Sequence, residues 1–175
     1  MAQLSVGLRS GRQIQLWQIM ADFSLSSAMS VDVTTDLVIA RPRDVVAAYA
    51  MDPDHVPNWY ANIRRVDWQT PRPLRVGSRI DFVAHFLGRR LAYTYEIVEL
   101  VPGERLVMRT AQGPFPMETT YTWQSLGPDS TRMTLRNRGE PSGFSRVLAP
   151  FLASAVRRAN RKDLAALKRV LESSG

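Results

Sequence analysis

From Phe144 onward the chain carries a single apolar stripe: Phe144, Val147, Leu148, Phe151, Leu152, Ala155, Val156, Ala159, Leu164, Leu167, Val170 and Leu171. These positions recur at i, i+3 and i+4, the spacing of one helix face. The stripe predicts one helix of ~42 Å at 1.5 Å per residue, with Ser142 as N-cap and a kink where Pro150 removes a backbone hydrogen bond. A face of that length needs an apolar partner.

The preceding sequence supplies strands. Val31, Val33, Thr35, Leu37 and Ile39 alternate with Asp32, Thr34 and Asp36, a period of two that marks a first strand. Pro42 can open a short helix through Val45, Val46, Tyr49 and Ala50, and a second short helix is predicted from His55 to Asn62. Six extended segments follow: 64–70, 79–87, 90–100, 105–111, 117–125 and 131–138. Between them lie Pro71-Arg72-Pro73, Gly88, Pro102-Gly103, Gly113-Pro114 and Gly127-Pro128, all residues that fix or permit reversals. Closely spaced strands of this kind form an antiparallel meander. Its apolar face has one element long enough to cover it, so the sheet must curl around the final helix. The predicted class is α+β, a seven-stranded curved antiparallel sheet wrapped on a long C-terminal helix, with two short helices between strands one and two. Such a wrap leaves space at its wide end, and space there means a pocket.

Residues 1–30 lack this order and are read as an appendage to a domain spanning 31–175. Arg9 and Arg12 interrupt any secretory signal pattern, and Met29, just before the first strand, is an alternative native start that the sequence leaves open.

The order of elements, together with GRRLAYTYEIVELVPGERLVMRT, GPFPMETTYTW followed by STRMTL, and the closing DLAALKRVLE, resembles the polyketide cyclase/dehydrase and lipid-transport superfamily, the SRPBCC or START-like helix-grip proteins. The resemblance runs from about Val31 to Glu172. It implies the helix-grip fold and an internal cavity for lipids, sterols, polyketides or similar molecules, and it transfers no catalytic residue to this chain.

Composition narrows the chemistry. Without cysteine, disulfides, thiolate zinc sites and cysteine nucleophiles are excluded, and a reducing, cytoplasmic compartment is the expectation. The only histidines, His55 and His85, form no cluster at metal-ligand spacing, and neither a phosphate-binding glycine loop nor a G-x-S-x-G elbow is present. No metal or other cofactor is expected. The net charge of +7 comes from an arginine excess spread along the chain. On the final helix, Arg157, Arg158, Arg161, Lys162, Lys168 and Arg169, with Asp163 and Glu172 as acids, read as a solvated face. Their lack of interleaved aromatics argues against nucleic acid, and contact with an anionic membrane stays open. The oligomeric state is open too.

Alternation then selects an inward face: Ile80, Phe82, Ala84 and Phe86 on one strand, Tyr93, Tyr95 and Ile97 on the next, and Tyr121 with Trp123, then Met133, Leu135 and Asn137, on the last two. His85, Glu96 and Glu118 fall outside. The candidate cavity residues are Trp59, Phe82, Tyr93, Tyr95, Tyr121, Trp123, Met133 and Asn137 facing Phe151, Leu152 and Ala155. Any one of them could simply fill the core; as a set, the tyrosines and tryptophans bring polar tips that a wholly apolar core avoids. Trp59 is read first as packing and second as a gate. The leading expectation is a non-covalent binder of an apolar or aromatic molecule. The alternatives are an aromatase/cyclase-like enzyme in which Tyr93, Tyr95 and Asn137 orient a polyketone, and a partner-binding regulator that uses the basic helix face.

Overall fold

The structure, a computed structural model, describes residues 30–86, 88–140 and 149–173. The alternative Met29 start, the Ser142 cap and the first helical turns from Phe144 lie outside the described residues, and Pro150 stands second in the described part of the final helix. The side chain of Phe86 lies outside them as well.

Strand β1 (Val31–Ile39) leads into helix α1 (Arg43–Met51), a 3-10 turn (Pro53–His55) and a single turn of helix α2 (Val56–Trp59). Six strands follow: β2 (Ile63–Trp68), β3 (Arg79–Phe86), β4 (Arg89–Val101), β5 (Arg105–Gln112), β6 (Met117–Gly127) and β7 (Ser130–Gly139). Helix α3 (Ala149–Ser173) closes the chain. All seven strands form one antiparallel sheet in the order β1-β7-β6-β5-β4-β3-β2. The chain is a helix-grip domain. Because β1 and β2 are opposite edges, the short helices between them must cross the sheet's concave side, where they cover one end of it.

Alternation works as expected in β1: Val31, Val33, Thr35 and Ile39 are buried, and Asp32, Thr34 and Asp36 are exposed. Register shifts in β2, β4, β5 and β6 add one residue at a time to one strand of a pair, which bends the sheet and deepens its curl. The turn between β3 and β4 is made by Gly88 at φ +74°, a left-handed conformation that side chains with a Cβ resist. Between β5 and β6, a Cβ at Gly113 would lie 2.9 Å from Thr110 Cγ2 and 3.0 Å from Tyr93 Cβ, so only glycine lets this hairpin close on β4.

The second short helix is shorter than the predicted 55–62. Asp52 caps the 3-10 turn by accepting from the Asp54 amide at 2.9 Å, so the segment starts early. Its end has a tertiary cause. The Ala61 amide donates at 3.0 Å to Asp163 on α3 instead of continuing the helical ladder.

The inward side of α3 is set by two apolar clusters. Leu164, Leu167 and Leu171 join the main core with Ile39, Val46, Trp59, Ile80, Ile97 and Leu135. Nearer its start, Leu152 packs with Val31 and Val33, joined by Ala153 and Val156. The C-terminal end is also tied down by polar contacts: Arg41 Nε donates to the Leu171 carbonyl at 2.7 Å, the Ala40 amide to Glu172 Oε1 at 2.7 Å, and Lys168 Nζ to the Val38 carbonyl at 2.9 Å. A cation at that end also complements the helix dipole. Among the residues of the predicted solvated face, Lys168 and Glu172 therefore hold the helix to the β1 edge, and Asp163 is not solvated at all, being 2% exposed.

The outer sheet face is an arginine–carboxylate lattice that includes Arg79–Glu96 (2.8 Å), Arg109–Glu118 (2.8 Å) and Arg105–Glu99 (3.0 Å), with Arg136 on Asp32. Much of the arginine excess is paired here rather than gathered into a patch.

The two ends of the helix stripe make opposite predictions for substitution. Leu167 is fully buried and Phe151 is 72% exposed. Leu167→Ala should destabilise the fold by about 2–5 kcal/mol, and Phe151→Ala by less than about 0.5 kcal/mol, as read from urea unfolding midpoints.

Candidate functional site

Helix α3 makes its main contacts with β1 and α2. Between it and the middle strands lies a cavity of about 500 Å³. Its wall takes Phe82 and Ala84 from β3, Tyr93 and Tyr95 from β4, Met108 from β5, Thr119 and Tyr121 from β6, and Asn137 from β7. Val56, Tyr60 and Ile63 close one side, and Leu152, Val156, Ala159, Asn160 and Asp163 form the helical side. Exposed members of the lining, Arg89, Pro114 and Arg138, mark the opening beside the β3–β4 and β5–β6 turns.

Strand register explains which side chains meet. Phe82 and Tyr93 are cross-strand partners with ring centroids 5.6 Å apart, and Tyr93 packs edge-on to Tyr95 at 5.1 Å. Thr119 and Asn137 are also partners, and the Thr119 hydroxyl donates to Asn137 Oδ1 at 2.8 Å. That bond uses the threonine proton, so the Tyr95 hydroxyl is the donor in its 3.0 Å bond to Thr119. Asn137 Nδ2 in turn donates to Asn160 Oδ1 at 2.9 Å. A second polar group lies on the α2 side, where the Tyr60 and Tyr121 hydroxyls are 2.8 Å apart and Asp163 accepts from the Ala61 amide.

Burial sets the protonation of these groups. It pushes the Tyr95 hydroxyl up to about 12. Tyr60, Tyr93 and Tyr121 are raised for the same first reason. All four remain protonated donors at neutral pH. Asp163 is pushed up to about 6 by burial, against the Ala61 hydrogen bond and the charge of Lys162.

Of the residues expected at the cavity, Phe82, Tyr93, Tyr95, Tyr121, Asn137 and Leu152 line it. Trp59, Trp123 and Met133 sit behind the wall in the core, Trp59 with its ring 4.2 Å from that of Tyr60, a packing position rather than a gate. Ala155 is half-buried beside the lining, and Phe151 points to solvent. The reason is helical phase. Seating on Val31 and Val33 turns Leu152, Val156, Asn160 and Asp163 inward, which leaves Phe151 about 100° away from Leu152.

Thr119, Asn160 and Asp163 are site residues that sequence reasoning does not single out, and Tyr60 lines the cavity beside the packed Trp59. Thr119 stands two residues before Tyr121, on the same strand face. Asn160 and Asp163 precede Leu164 and Leu167 by one helical turn, so their positions, though not their residue types, mark them as inward.

His55 stacks on Tyr49 with centroids 4.1 Å apart, and His85 is exposed; neither lines the cavity. Among the described residues no group of three His, Cys, Asp or Glu side chains could hold a metal, and no helix is long and apolar enough to cross a membrane.

The family model for polyketide cyclase/dehydrase and lipid transport matches residues 30–172. The chain belongs to this family. Among solved structures, the cyclase/dehydrase and lipid-transport fold is shared with the protein TTHA0849 of Thermus thermophilus (TM-score 0.72, 18% identity, 82% of this chain and 99% of that one covered). A START superfamily protein from Mycobacterium smegmatis superposes with a TM-score of 0.71 at 16% identity, over 82% of this chain and 99% of that one. The Zhui aromatase/cyclase from Streptomyces sp. R1128 does so with 0.69 at 15% identity, over 82% and 94%. At these identities the likeness is one of fold. No curated protein matches the sequence significantly.

Asp163 gives this family member a pH signature. Its folded-state pKa of about 6 lies above the ordinary value of 3.8, so between those values the folded state binds more protons than the unfolded one. Stability therefore falls as pH rises through this window. Asp163→Asn removes the ionisation. Relative to wild type, the variant should gain stability on the order of 2 kcal/mol between pH 4 and pH 8, as measured by urea unfolding at the two pH values.

Proposed function

We propose that the protein binds and carries an apolar or aromatic small molecule in the cavity between α3 and the sheet. The observation that carries this reading is the cavity itself: about 500 Å³, within the range of roughly 300–1,000 Å³ typical of small-molecule sites. Its wall combines Phe82, Met108, Leu152 and Val156 with a small number of oriented polar groups, the usual composition of a ligand pocket. Membership of a family described by polyketide cyclases, dehydrases and lipid transport supports the same ligand class.

An aromatase/cyclase-like reaction is the second reading, favoured by the Tyr95–Thr119–Asn137–Asn160 chain and by the fold shared with an aromatase/cyclase. The protonation of the tyrosines weighs against it. A hydroxyl raised to about 12 is far from the near-neutral value at which proton transfer is efficient, and Tyr95 already spends its proton on Thr119. These groups are better suited to holding a ligand than to moving its protons. Retained ligand binding with lost turnover of a polyketide surrogate in Tyr95→Phe would establish the enzyme.

Filling the cavity tests the binding reading. Ala159 lines it from the helix, and Ala159→Trp should lower affinity for fatty acids, sterols or flavonoids by more than tenfold while leaving the circular dichroism spectrum unchanged. Binding that survives in the folded variant would place the ligand elsewhere, and native mass spectrometry of the wild type identifies any ligand that copurifies.

A further inference from the structure

The α2 side of the cavity holds a donor and an acceptor that its packing does not use. Asp163 is 2% exposed, and one of its carboxylate oxygens accepts from the Ala61 amide at 3.0 Å. The other makes no hydrogen bond among the described residues. The Tyr60 and Tyr121 hydroxyls share one hydrogen bond at 2.8 Å. Two hydroxyls carry two protons and their mutual bond uses one, so one remains to donate. Both tyrosines lie close enough to Asp163 to feel its charge. The surrounding wall, Val56, Phe82 and Met108, is apolar.

We propose that this end of the cavity is a hydroxyl-binding subsite, in which a phenol or alcohol on an otherwise apolar ligand donates to Asp163 and accepts from the Tyr60–Tyr121 pair. The inference rests on the proposed binding function and adds the chemistry of the ligand's inner end. A ligand carboxylate would be repelled by ionised Asp163. A ketone has no proton to give it, and an ammonium group cannot accept the spare tyrosine proton. A hydroxyl does both. The titratable groups facing Asp163 are Tyr60 from the end of α2 and Tyr121 from β6, both neutral across the physiological range, and Lys162 on its own helix. Asp163 alone therefore sets the pH dependence. A hydroxyl donates more strongly to a carboxylate than to a neutral acid, so the preference for hydroxylated ligands should grow as pH rises through the ionisation of Asp163.

Two matched pairs test the subsite by calorimetry at pH 5 and pH 8: 2-naphthol with 2-methoxynaphthalene, and estrone with its 3-methyl ether. Each phenol should bind about tenfold more tightly than its ether at pH 8, the increment of one charge-assisted hydrogen bond. The ratio should shrink at pH 5. In Asp163→Asn it should fall to about twofold or less at pH 8. Equal binding of phenol and ether by the wild type at pH 8, or a preference that persists unchanged in Asp163→Asn, would overturn the subsite and leave cavity binding intact. Binding of none of the four compounds would overturn cavity binding as well. The wild-type comparison at two pH values decides the matter even if the variant fails to fold.

Discussion

The seating of helix α3 governs the rest of the molecule. Its last turns are fixed by Leu164, Leu167 and Leu171 in the main core and by three hydrogen bonds to the end of β1 and the residues after it. Farther toward its start, the helix rests on Val31 and Val33 of the same strand through Leu152. A rod of 25 residues, ~37 Å long, held along one sheet edge cannot also press on the middle strands of a sheet that curves away from it. The gap that results is the cavity. Its position follows from an apolar choice: the residues that grip the helix lie on β1, and those opposite the gap include tyrosines, a threonine and an asparagine among Phe82, Ala84 and Met108.

Those polar residues can stand in an apolar wall because strand register pairs them off. Thr119 opposite Asn137 is a cross-strand pair, and the bond between them continues to Tyr95 on one side and Asn160 on the other. Each bond offsets the desolvation of its members, which unpaired would cost about 1–3 kcal/mol per group. Pairing across strands and onto the helix also makes the wall rigid, because moving any one member strands its neighbour. The exceptions are Thr35 Oγ1, Asn160 Nδ2 and the Trp59 and Trp123 indole nitrogens, buried without a hydrogen-bond partner among the described residues. Asn160 is on the cavity wall, and the two tryptophans sit behind it.

What can be read from the sequence is what local chemistry determines. Strands β3 to β7 are legible within two residues at each end because alternation and the Pro and Gly turns are properties of neighbours in the chain. So is the inward face of β4, and with it Tyr93 and Tyr95. The second short helix is not, because its terminator is Asp163, 102 residues away. Phe151 and Leu152 cannot be separated by a stripe that contains both; the choice belongs to β1, which decides the helix's rotation. Asp163 and Asn160 are hidden by their own residue types, since a carboxylate among arginines and lysines reads as surface. Only their place one turn before Leu164 and Leu167 says otherwise.

Magnitudes indicate how such a cavity can exist in a stable domain. An empty apolar void of about 500 Å³ would cost about 12 kcal/mol at about 24 cal/mol per Å³, comparable to the whole stability of a typical domain, about 5–15 kcal/mol. A dry void is therefore not a tenable state, and the polar groups supply the alternative. Asp163, the Tyr60–Tyr121 pair and Tyr93 can hydrate one side of the space, which lowers the cost of keeping it open. Phe82, Met108, Leu152 and Val156 cannot hydrate the other. Solvent there lies against apolar surface at about 25 cal/mol per Å², and an apolar ligand body recovers that energy by displacing it. The wall is thus divided between a part that tolerates water and a part that gains by losing it, and a ligand matched to both parts must itself be amphipathic along its length.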